Sequence, residues 1–511
     1  MNANKLKQLI CRYYDFCIIG EKHLKTYQLD NSKISQTYYC LFRGFLLALI
    51  NYLLLVYDDL VSSNRPLYPK TNTNKLFVRL AVESVLLLDI FTNNPEYIER
   101  YYASYLSDLK RLQLLFAGKK SEEKFIRRFA WLPRHKGRRA SALVDLLNYV
   151  KFADEEHKDY FLILLRNLDN YTHPSFKIAQ GLDNKTLASL ELIAPFFIEN
   201  GIINELCENL IEHINDDKIK QELSAVLTSK KHSQDIDKKY RELLANSPQE
   251  INPVCYIIAQ LSNVINRSKH TNYRLKNISY LLLDLAPRYE DFLRAYFNHN
   301  TLLLEIQLRT IFESLAMLDL LLYEDEKRNY VFFIHQGIKG YEANKTALDL
   351  LDKLNLVKPN IDIEGRYQQN IDTLTEYYRV EHQKEVSKKD ILRLNGWALY
   401  LKKYNNSKVP NASFMVEKLN DNHFKDAETK RFLNASFEES NAFTHLTHYA
   451  FLEEKKEINP LLIKYLNQIL GEIILAISKA PEIITLLSEE EKEEIFIHFP
   501  HFLNCLNNIT F

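Results

Sequence analysis

A short string in the first half of the chain joins a permanent cation to a side chain that titrates near neutral pH. Arg166 is followed directly by Asn167, and His173 stands seven residues after Arg166. Seven residues are almost two turns of helix, so the guanidinium and the imidazole would project from one helix face, roughly 10 Å apart along its axis. Such a pair could bind an anionic group and move a proton beside it.

The spacing of this string is common in the chain, and its context is what distinguishes it. Comparable spacings occur at Arg128/His135, Arg294/His299 and Arg328/His335. His173 differs from these histidines because a second threonine–histidine pair, Thr444-His445, follows the same order of motifs in the second half. The context therefore selects Arg166, Asn167 and His173 as the candidate site, with His445 as a counterpart.

Two further interpretations of His173 stay open. A histidine at a helix C-terminus can hydrogen-bond to the last carbonyl groups and interact favourably with the helix dipole. Pro174 would end the helix at this point, because the residue before a proline disfavours the helical conformation. Metal binding is the weaker alternative, since His445 and His448 have no carboxylate or thiol at ligand spacing. The sequence predicts neither a metal nor a cofactor.

Two segments 230 residues apart share the pattern Arg-x3-Glu-Ser-x4-Asp within aliphatic residues. The first includes Arg79 and Glu83, and the second includes Arg309 and Glu313. Each half later contains a tryptophan followed by an aromatic-Thr-His triplet, at Trp131 with Tyr171-Thr172-His173 and at Trp397 with Phe443-Thr444-His445. This repeated order predicts an internal duplication, so the chain should contain two related helical bundles in tandem.

The repeated Arg-Glu pairs admit two interpretations. Because the two residues lie one turn apart on one helix face, each pair could be an internal ion pair that fixes the neighbouring helices. Alternatively, Arg79 and Arg309 could point into a cleft and bind phosphate, each oriented by its own glutamate, Glu83 or Glu313. The repetition indicates that the pair belongs to the design of the domain, and it leaves this choice open.

The composition predicts an all-α protein. Only 11 glycines and 14 prolines occur in 511 residues, so the chain has few of the residues that punctuate many-stranded or loop-rich folds. The 66 basic and 66 acidic residues balance, so binding to nucleic acid or to an anionic membrane would need a local patch. Six cysteines without a paired motif, and an N-terminal stretch without a signal sequence, predict a cytoplasmic protein.

Apolar residues at helical spacing predict long helices in both halves. These fall at residues 38–61, 75–91, 96–116, 141–150, 155–172, 326–344, 426–443 and 460–479, with a further helix expected at 184–200 and a short terminal helix after a capping box at Ser488. The longest apolar run, Phe45 to Tyr57, has about thirteen residues, fewer than the roughly 20 that span a bilayer. It predicts a buried helix and no membrane partner. Composition places the first domain at 1–215, a polar linker at 216–250 and the second domain at 251–511.

A basic stretch between residues 119 and 139 contains nine lysines and arginines against two glutamates. Phe125, Phe129 and Trp131 are interleaved with these cations, and such a mixture suits a surface that binds phosphate or nucleic acid. The candidate substrate-binding residues in this stretch are Arg127, Arg128, Arg138 and Arg139. A solvated loop is the alternative interpretation.

The string Arg-Asn-x5-His resembles the signature of the HEPN superfamily, a group of small helical bundles in toxins, CRISPR effectors and anti-phage proteins. Many members are metal-independent endoribonucleases whose active sites form between two copies. The resemblance implies that His173 is the acid/base group, that Arg166 stabilises the scissile phosphate and that Asn167 supports them. The Arg-x3-Glu and Tyr-Thr-His-Pro-Ser motifs are also similar to those of an uncharacterised all-helical bacterial family, which implies a fold but no activity.

The implied roles are chemically consistent. Attack by an RNA 2′-hydroxyl needs a group that titrates near neutral pH and a donor to the developing phosphorane charge, and it needs no metal. In the second half Glu438 stands where the arginine would be, and its carboxylate would repel phosphate, so two equivalent sites are not expected.

The sequence therefore leads to two competing predictions of function. The first is a bacterial metal-independent endoribonuclease of defence or toxin type, with RNA as its partner. The second is a non-enzymatic helical scaffold or sensor that binds a protein or a nucleotide. Either could form a homo-oligomer.

Overall fold

The computed structural model describes residues 3–26, 32–61, 73–119, 129, 131–137, 140, 143–152, 154–169, 197–198, 201–229, 236–246, 251–267, 272–353, 363–382, 386–393, 397, 411–444 and 459–508. The structure is 87% helical and its described residues contain no strand, which confirms the all-α prediction.

The helices of the first half are α1 (Ala3–Thr26), α2 (Lys33–Val61), α3 (Thr73–Asn93), α4 (Glu96–Phe116), a 3-10 helix (Leu143–Asn148), α5 (Glu155–Asp169), α6 (Ile202–Glu212), α7 (Asp217–Thr228) and α8 (Ile236–Ala245). Those of the second half are α9 (Ile251–Arg267), α10 (Tyr273–Phe297), α11 (Thr301–Tyr323), α12 (Glu326–Lys353), α13 (Ile363–His382), α14 (Lys388–Ile391), α15 (Ala412–His423), α16 (Ala427–Thr444), α17 (Pro460–Lys479), α18 (Pro481–Ile484) and α19 (Glu489–Asn508).

The two helices that carry the repeated Arg-x3-Glu pattern are the most deeply buried ones. Every residue of α11 from Leu302 to Leu322 is buried, and α3 is buried on nearly all its faces. A helix that is apolar on all sides must lie inside a protein, because no face of it favours water. Each of these helices therefore forms the centre of its half.

The two halves pack against each other in a reciprocal manner. Helix α4 of the first half contacts α16 of the second half, and α12 of the second half contacts α5 of the first. The central helix α3 contacts α5 and the 3-10 helix, while α11 contacts α16 and α15. One hydrophobic cluster includes Leu6 near the start and Leu506 near the end of the chain. The halves thus share a continuous core.

The polar segment that we expected between the two halves contains two helices. Helix α7 packs against α1, and α8 is attached to the first half by hydrogen bonds. The hydroxyl of Tyr240 donates to the carboxylate of Asp58, and the ammonium of Lys7 lies 2.8 Å from the carboxylate of Asp237. Residues 217–228 and 236–245 therefore belong to the folded body rather than to an extended connection.

Several helix ends follow the sequence signals closely. Helix α17 begins at Pro460, and the side chain of Asn459 accepts a hydrogen bond from the Leu461 amide at 3.0 Å. The capping box is confirmed, because Ser488 and Glu491 exchange backbone-to-side-chain hydrogen bonds of 3.0 and 3.2 Å. The terminal helix that it opens has 20 residues and is therefore not short. The expected end of α5 at His173 and most of the expected helix at 184–200 lie outside the described residues.

In the described part of the chain, α2 and α17 are long and apolar enough to cross a membrane, by length and composition alone. In each helix 61% of the most apolar 18-residue stretch is buried inside the protein. The run from Phe45 to Tyr57 lies within α2 and most of it is buried, as expected of a core helix. The absence of a membrane partner stays a prediction.

Candidate functional site

Helix α5 carries two of the three residues of the candidate site, and they face different environments. Its apolar side chains, including Leu164, Leu165 and Leu168, form the buried face. Arg166 is exposed to solvent, whereas Asn167 is fully buried. Among the described residues, neither the oxygen nor the nitrogen of the Asn167 amide has a hydrogen-bond partner. His173 lies outside the described residues, so the structure does not show its position relative to Arg166.

The position of α5 in the fold bears directly on this site. The helix lies against α3 of its own half and against α12 of the other half. Arg166 is therefore an exposed cation on a helix at the junction of the two halves.

A second string with the same Arg-Asn-x5-His spacing, on α12, has a structural role. The Arg328 guanidinium forms ion pairs with Glu324, at 3.5 Å, and with Asp325. Asn329 is fully buried and donates to backbone carbonyl groups. His335 is fully buried, and its Nε2 lies 3.1 and 3.0 Å from the carbonyl oxygens of residues 391 and 393. This spacing alone therefore does not define a catalytic site in this chain.

The repeated Arg-Glu pairs lie inside the protein. The Nε of Arg309 donates to Oε1 of Glu313 at 3.1 Å, and these residues are 5% and 1% exposed. Arg79 and Glu83 are each 1% exposed. A substrate phosphate could not reach these guanidinium groups without opening the core. Of the two interpretations given by the sequence, their burial favours the internal ion pair.

The repeated aspartates attach the central helices to later parts of the same half. The carboxylate of Asp89 accepts the backbone N–H of Lys151 at 3.1 Å. The carboxylate of Asp319 accepts from the Asn422 side chain at 2.7 Å and from Nε2 of His423 at 3.2 Å. These contacts give the aspartate that is repeated in the two segments a structural role.

His423 bridges two carboxylates, and nothing in the motif spacing pointed to it. Its Nδ1 lies 2.6 Å from Oε2 of Glu472, while Nε2 contacts Asp319. Burial lowers the pKa of this imidazole, but the hydrogen bonds and negative charges of Asp319 and Glu472 outweigh burial and raise its pKa overall. The raised pKa favours the protonated imidazole, and its contacts with both carboxylates connect α11, α15 and α17.

Glu438, which stands seven residues before His445 in the sequence, takes part in a contact between the halves. Its carboxylate lies 3.5 Å from the Arg111 guanidinium of α4 and accepts a hydrogen bond from the Ser413 hydroxyl of α15. The side chains of Arg111 and Glu438 are 17% and 19% exposed. Glu438 thus connects helices, and its counterpart His445 lies outside the described residues.

Both repeated tryptophans belong to the core. Trp131 is 4% exposed and packs against Phe91 and Tyr101, with ring centroids 5.4 and 5.3 Å apart. Trp397 is 1% exposed and packs edge-on against Phe332 at 4.8 Å. Trp131 therefore does not serve as an exposed stacking platform. The four arginines assigned to substrate binding in the basic stretch, Arg127, Arg128, Arg138 and Arg139, lie outside the described residues.

A cavity of about 320 Å³, which the sequence did not suggest, lies between α1, α2, α6 and α7. Its wall includes Tyr38 and Phe42 of α2, Thr92 at the end of α3, and His213 just after α6. The Thr92 hydroxyl lies 3.1 Å from the Tyr38 hydroxyl and 3.1 Å from Nδ1 of His213. Burial lowers the pKa of His213 more than nearby carboxylates raise it, which favours the neutral imidazole. No cluster of side chains that could bind a metal ion is present in the described part of the chain.

Comparison with known proteins gives no identity for the chain. No family model, no curated protein and no solved structure matches it.

Proposed function

We propose that the chain is a metal-independent endoribonuclease of the HEPN type, acting on RNA in the bacterial cytoplasm in defence or as a toxin. The observation that carries this proposal is the exposure of Arg166 on α5, at the junction with α12 of the other half. In the string on α12 with the same spacing, Arg328 and His335 are buried. The two strings therefore differ in the exposure of their arginines.

In the proposed reaction the 2′-hydroxyl of a ribose attacks the adjacent phosphorus. A bond forms between the 2′-oxygen and phosphorus, the bond to the 5′-oxygen breaks, and a 2′,3′-cyclic phosphate results. His173 takes the proton from the 2′-hydroxyl and gives it to the departing 5′-oxygen, and Arg166 stabilises the negative charge that develops on the phosphate oxygens. Asn167 is buried, so it supports the helix rather than touching the RNA.

The proposal includes one active site rather than two. Glu438 replaces the arginine in the second half, and its carboxylate is paired with Arg111 and Ser413. A carboxylate at this place would repel the RNA backbone. The second half then serves to support α5 through α12.

An internal duplication forms part of the same proposal, and the helix bounds support it. Helices α3 and α11 end at the same distance beyond Arg79 and Arg309, and α4 and α12 begin at the same distance beyond these arginines. The exchange of contacts, with α4 on α16 and α12 on α5, is the pattern of a two-fold related dimer fused into one chain.

The proposal is tested by cleavage of total RNA in EDTA with wild type, Arg166→Ala and His173→Ala. Circular dichroism and thermal melting first establish that each variant folds. We expect wild type to leave 2′,3′-cyclic phosphate ends and each variant to lose at least a hundredfold in rate. Cleavage that needs a divalent cation, or that persists in both folded variants, would contradict the proposal.

The second candidate is a non-enzymatic scaffold or sensor. It is favoured by the burial of the repeated Arg-Glu pairs, which act in packing, and by the cavity beside α2, which offers a place for a small ligand. Absence of toxicity and of RNA cleavage in the wild type, combined with binding of a small molecule, would support this function in place of the nuclease.

A further inference from the structure

We propose that the cavity between α1, α2, α6 and α7 binds an uncharged heteroaromatic molecule of nucleoside size that presents an N–H donor. This site is separate from Arg166, and the inference does not depend on the nuclease proposal.

The size of the cavity sets the size of the ligand. Its volume of about 320 Å³ lies at the lower end of the roughly 300–1,000 Å³ found for small-molecule sites. A volume at the lower end of this range favours a small ligand of nucleoside size.

The charges of the wall favour an uncharged ligand. Among the described residues that line the cavity, no lysine or arginine is present, Glu212 adds a carboxylate, and the imidazole of His23 lies 2.8 Å from the carboxylate of Glu222. Recognition of a phosphate ordinarily uses a guanidinium, an ammonium or a row of backbone amides. A nucleoside is therefore favoured over its phosphorylated form.

The aromatic side chains favour a planar ring. Tyr38, Tyr39 and Phe42 lie within about one turn of α2 and all contribute to the wall. The part of the wall that comes from α6 and α7 includes the aliphatic residues Leu210 and Ile219. Aromatic rings pair favourably with a planar heterocycle in stacked or edge-on arrangements.

The hydrogen bonds of Thr92 determine which nitrogen of His213 is left to accept a hydrogen bond. The Thr92 hydroxyl donates to the carbonyl oxygen of Leu88 at 2.9 Å, so its oxygen accepts from Tyr38 and from Nδ1–H of His213. A neutral imidazole protonated on Nδ1 carries a lone pair on Nε2. Among the described residues, none donates to this Nε2 atom. A ligand N–H is the group that would complete the pairing.

Adenosine and guanosine are the probes, and binding to the full chain is measured by isothermal titration calorimetry. We expect at least one nucleoside to bind, with AMP or GMP binding at least tenfold more weakly than the parent nucleoside. Ile34→Trp narrows the cavity and should weaken binding at least tenfold. Val61→Trp is the matched control, because Ile34 and Val61 are both 46% exposed on α2 but Val61 does not line the cavity.

His213→Leu removes the Nε2 acceptor and leaves the Tyr and Phe side chains of the wall unchanged. This variant should bind the nucleoside at least tenfold more weakly. Thermal melting identifies a variant that has lost its fold, and Ile34→Trp then carries the test alone. The proposal is overturned if neither nucleoside binds below 1 mM, if binding survives Ile34→Trp, or if the nucleotides bind as tightly as the nucleosides.

Discussion

The guanidinium of Arg111 lies 3.5 Å from the carboxylate of Glu438 and connects α4 of the first half to α16 of the second. Glu438 stands seven residues before His445, as Arg166 stands seven before His173. Under the proposed duplication, an exposed arginine in the first half corresponds to a glutamate that connects helices in the second half, and we infer that the two halves have taken different roles.

Reversing the charges of Arg111 and Glu438 should change the free energy of unfolding, because their contact joins the two halves. Glu438→Arg places two cations together and removes the acceptor of Ser413, so we expect a loss of about 1–3 kcal/mol in the free energy of unfolding. The double variant Arg111→Glu/Glu438→Arg should recover part of this loss. Urea denaturation of both single variants and the double variant measures the coupling. Strict additivity of the two single changes would show that the residues do not interact.

The buried pair of Arg309 and Glu313 should be needed for stability. Glu313→Gln leaves a guanidinium without its countercharge in the core, so we expect a loss of about 3–5 kcal/mol. The exposed pair of Arg379 and Glu376 is the matched control, and Glu376→Gln should cost less than about 1 kcal/mol. Urea denaturation checks both. Equal effects of the two changes would mean that Arg309 is not held by Glu313 in solution.

His423 should stabilise the fold in a pH-dependent way. Its pKa is raised in the folded protein, so its contribution is complete below the unfolded pKa of about 6.5 and is lost as pH rises through the folded pKa. We therefore expect His423→Asn to lower the melting temperature more at about pH 5.5 than at about pH 9. The exposed His157, changed to Asn, serves as the control. A His423→Asn effect that is constant with pH would indicate that protonation of His423 plays no part.

The helices could largely be predicted from the sequence because a helix depends on local periodicity and end signals. The bounds of α17 match the predicted range of 460–479 because Asn459 and Pro460 are strong start signals. Periodicity also shows that a face is buried, but it does not show which helix covers it. The contacts of α4 with α16 and of α12 with α5, and the attachment of α7 and α8 to α1 and α2, therefore had to come from the structure.

The candidate site was less predictable than the helices. Arg166 and Arg328 have the same spacing to an asparagine and a histidine, yet Arg166 is exposed and Arg328 is buried. The spacing does not show this difference in burial, although the acidic partners of Arg328, Glu324 and Asp325, stand just before it in the sequence. The cavity near His213 joins residues from α1, α2, α3 and the segments around α6 and α7, so no local motif could have revealed it.

The most direct test of the nuclease is the rate of RNA cleavage in EDTA by Arg166→Ala, compared with wild type and with Arg379→Ala. Arg379 is likewise exposed, but it lies on α13, so its loss controls for the removal of a surface cation. We predict a fall of at least a hundredfold for Arg166→Ala and little change for Arg379→Ala, with unchanged melting temperatures for both. Cleavage by Arg166→Ala at the wild-type rate, or no cleavage by wild type under conditions in which the folded protein is toxic to cells, would contradict the assignment.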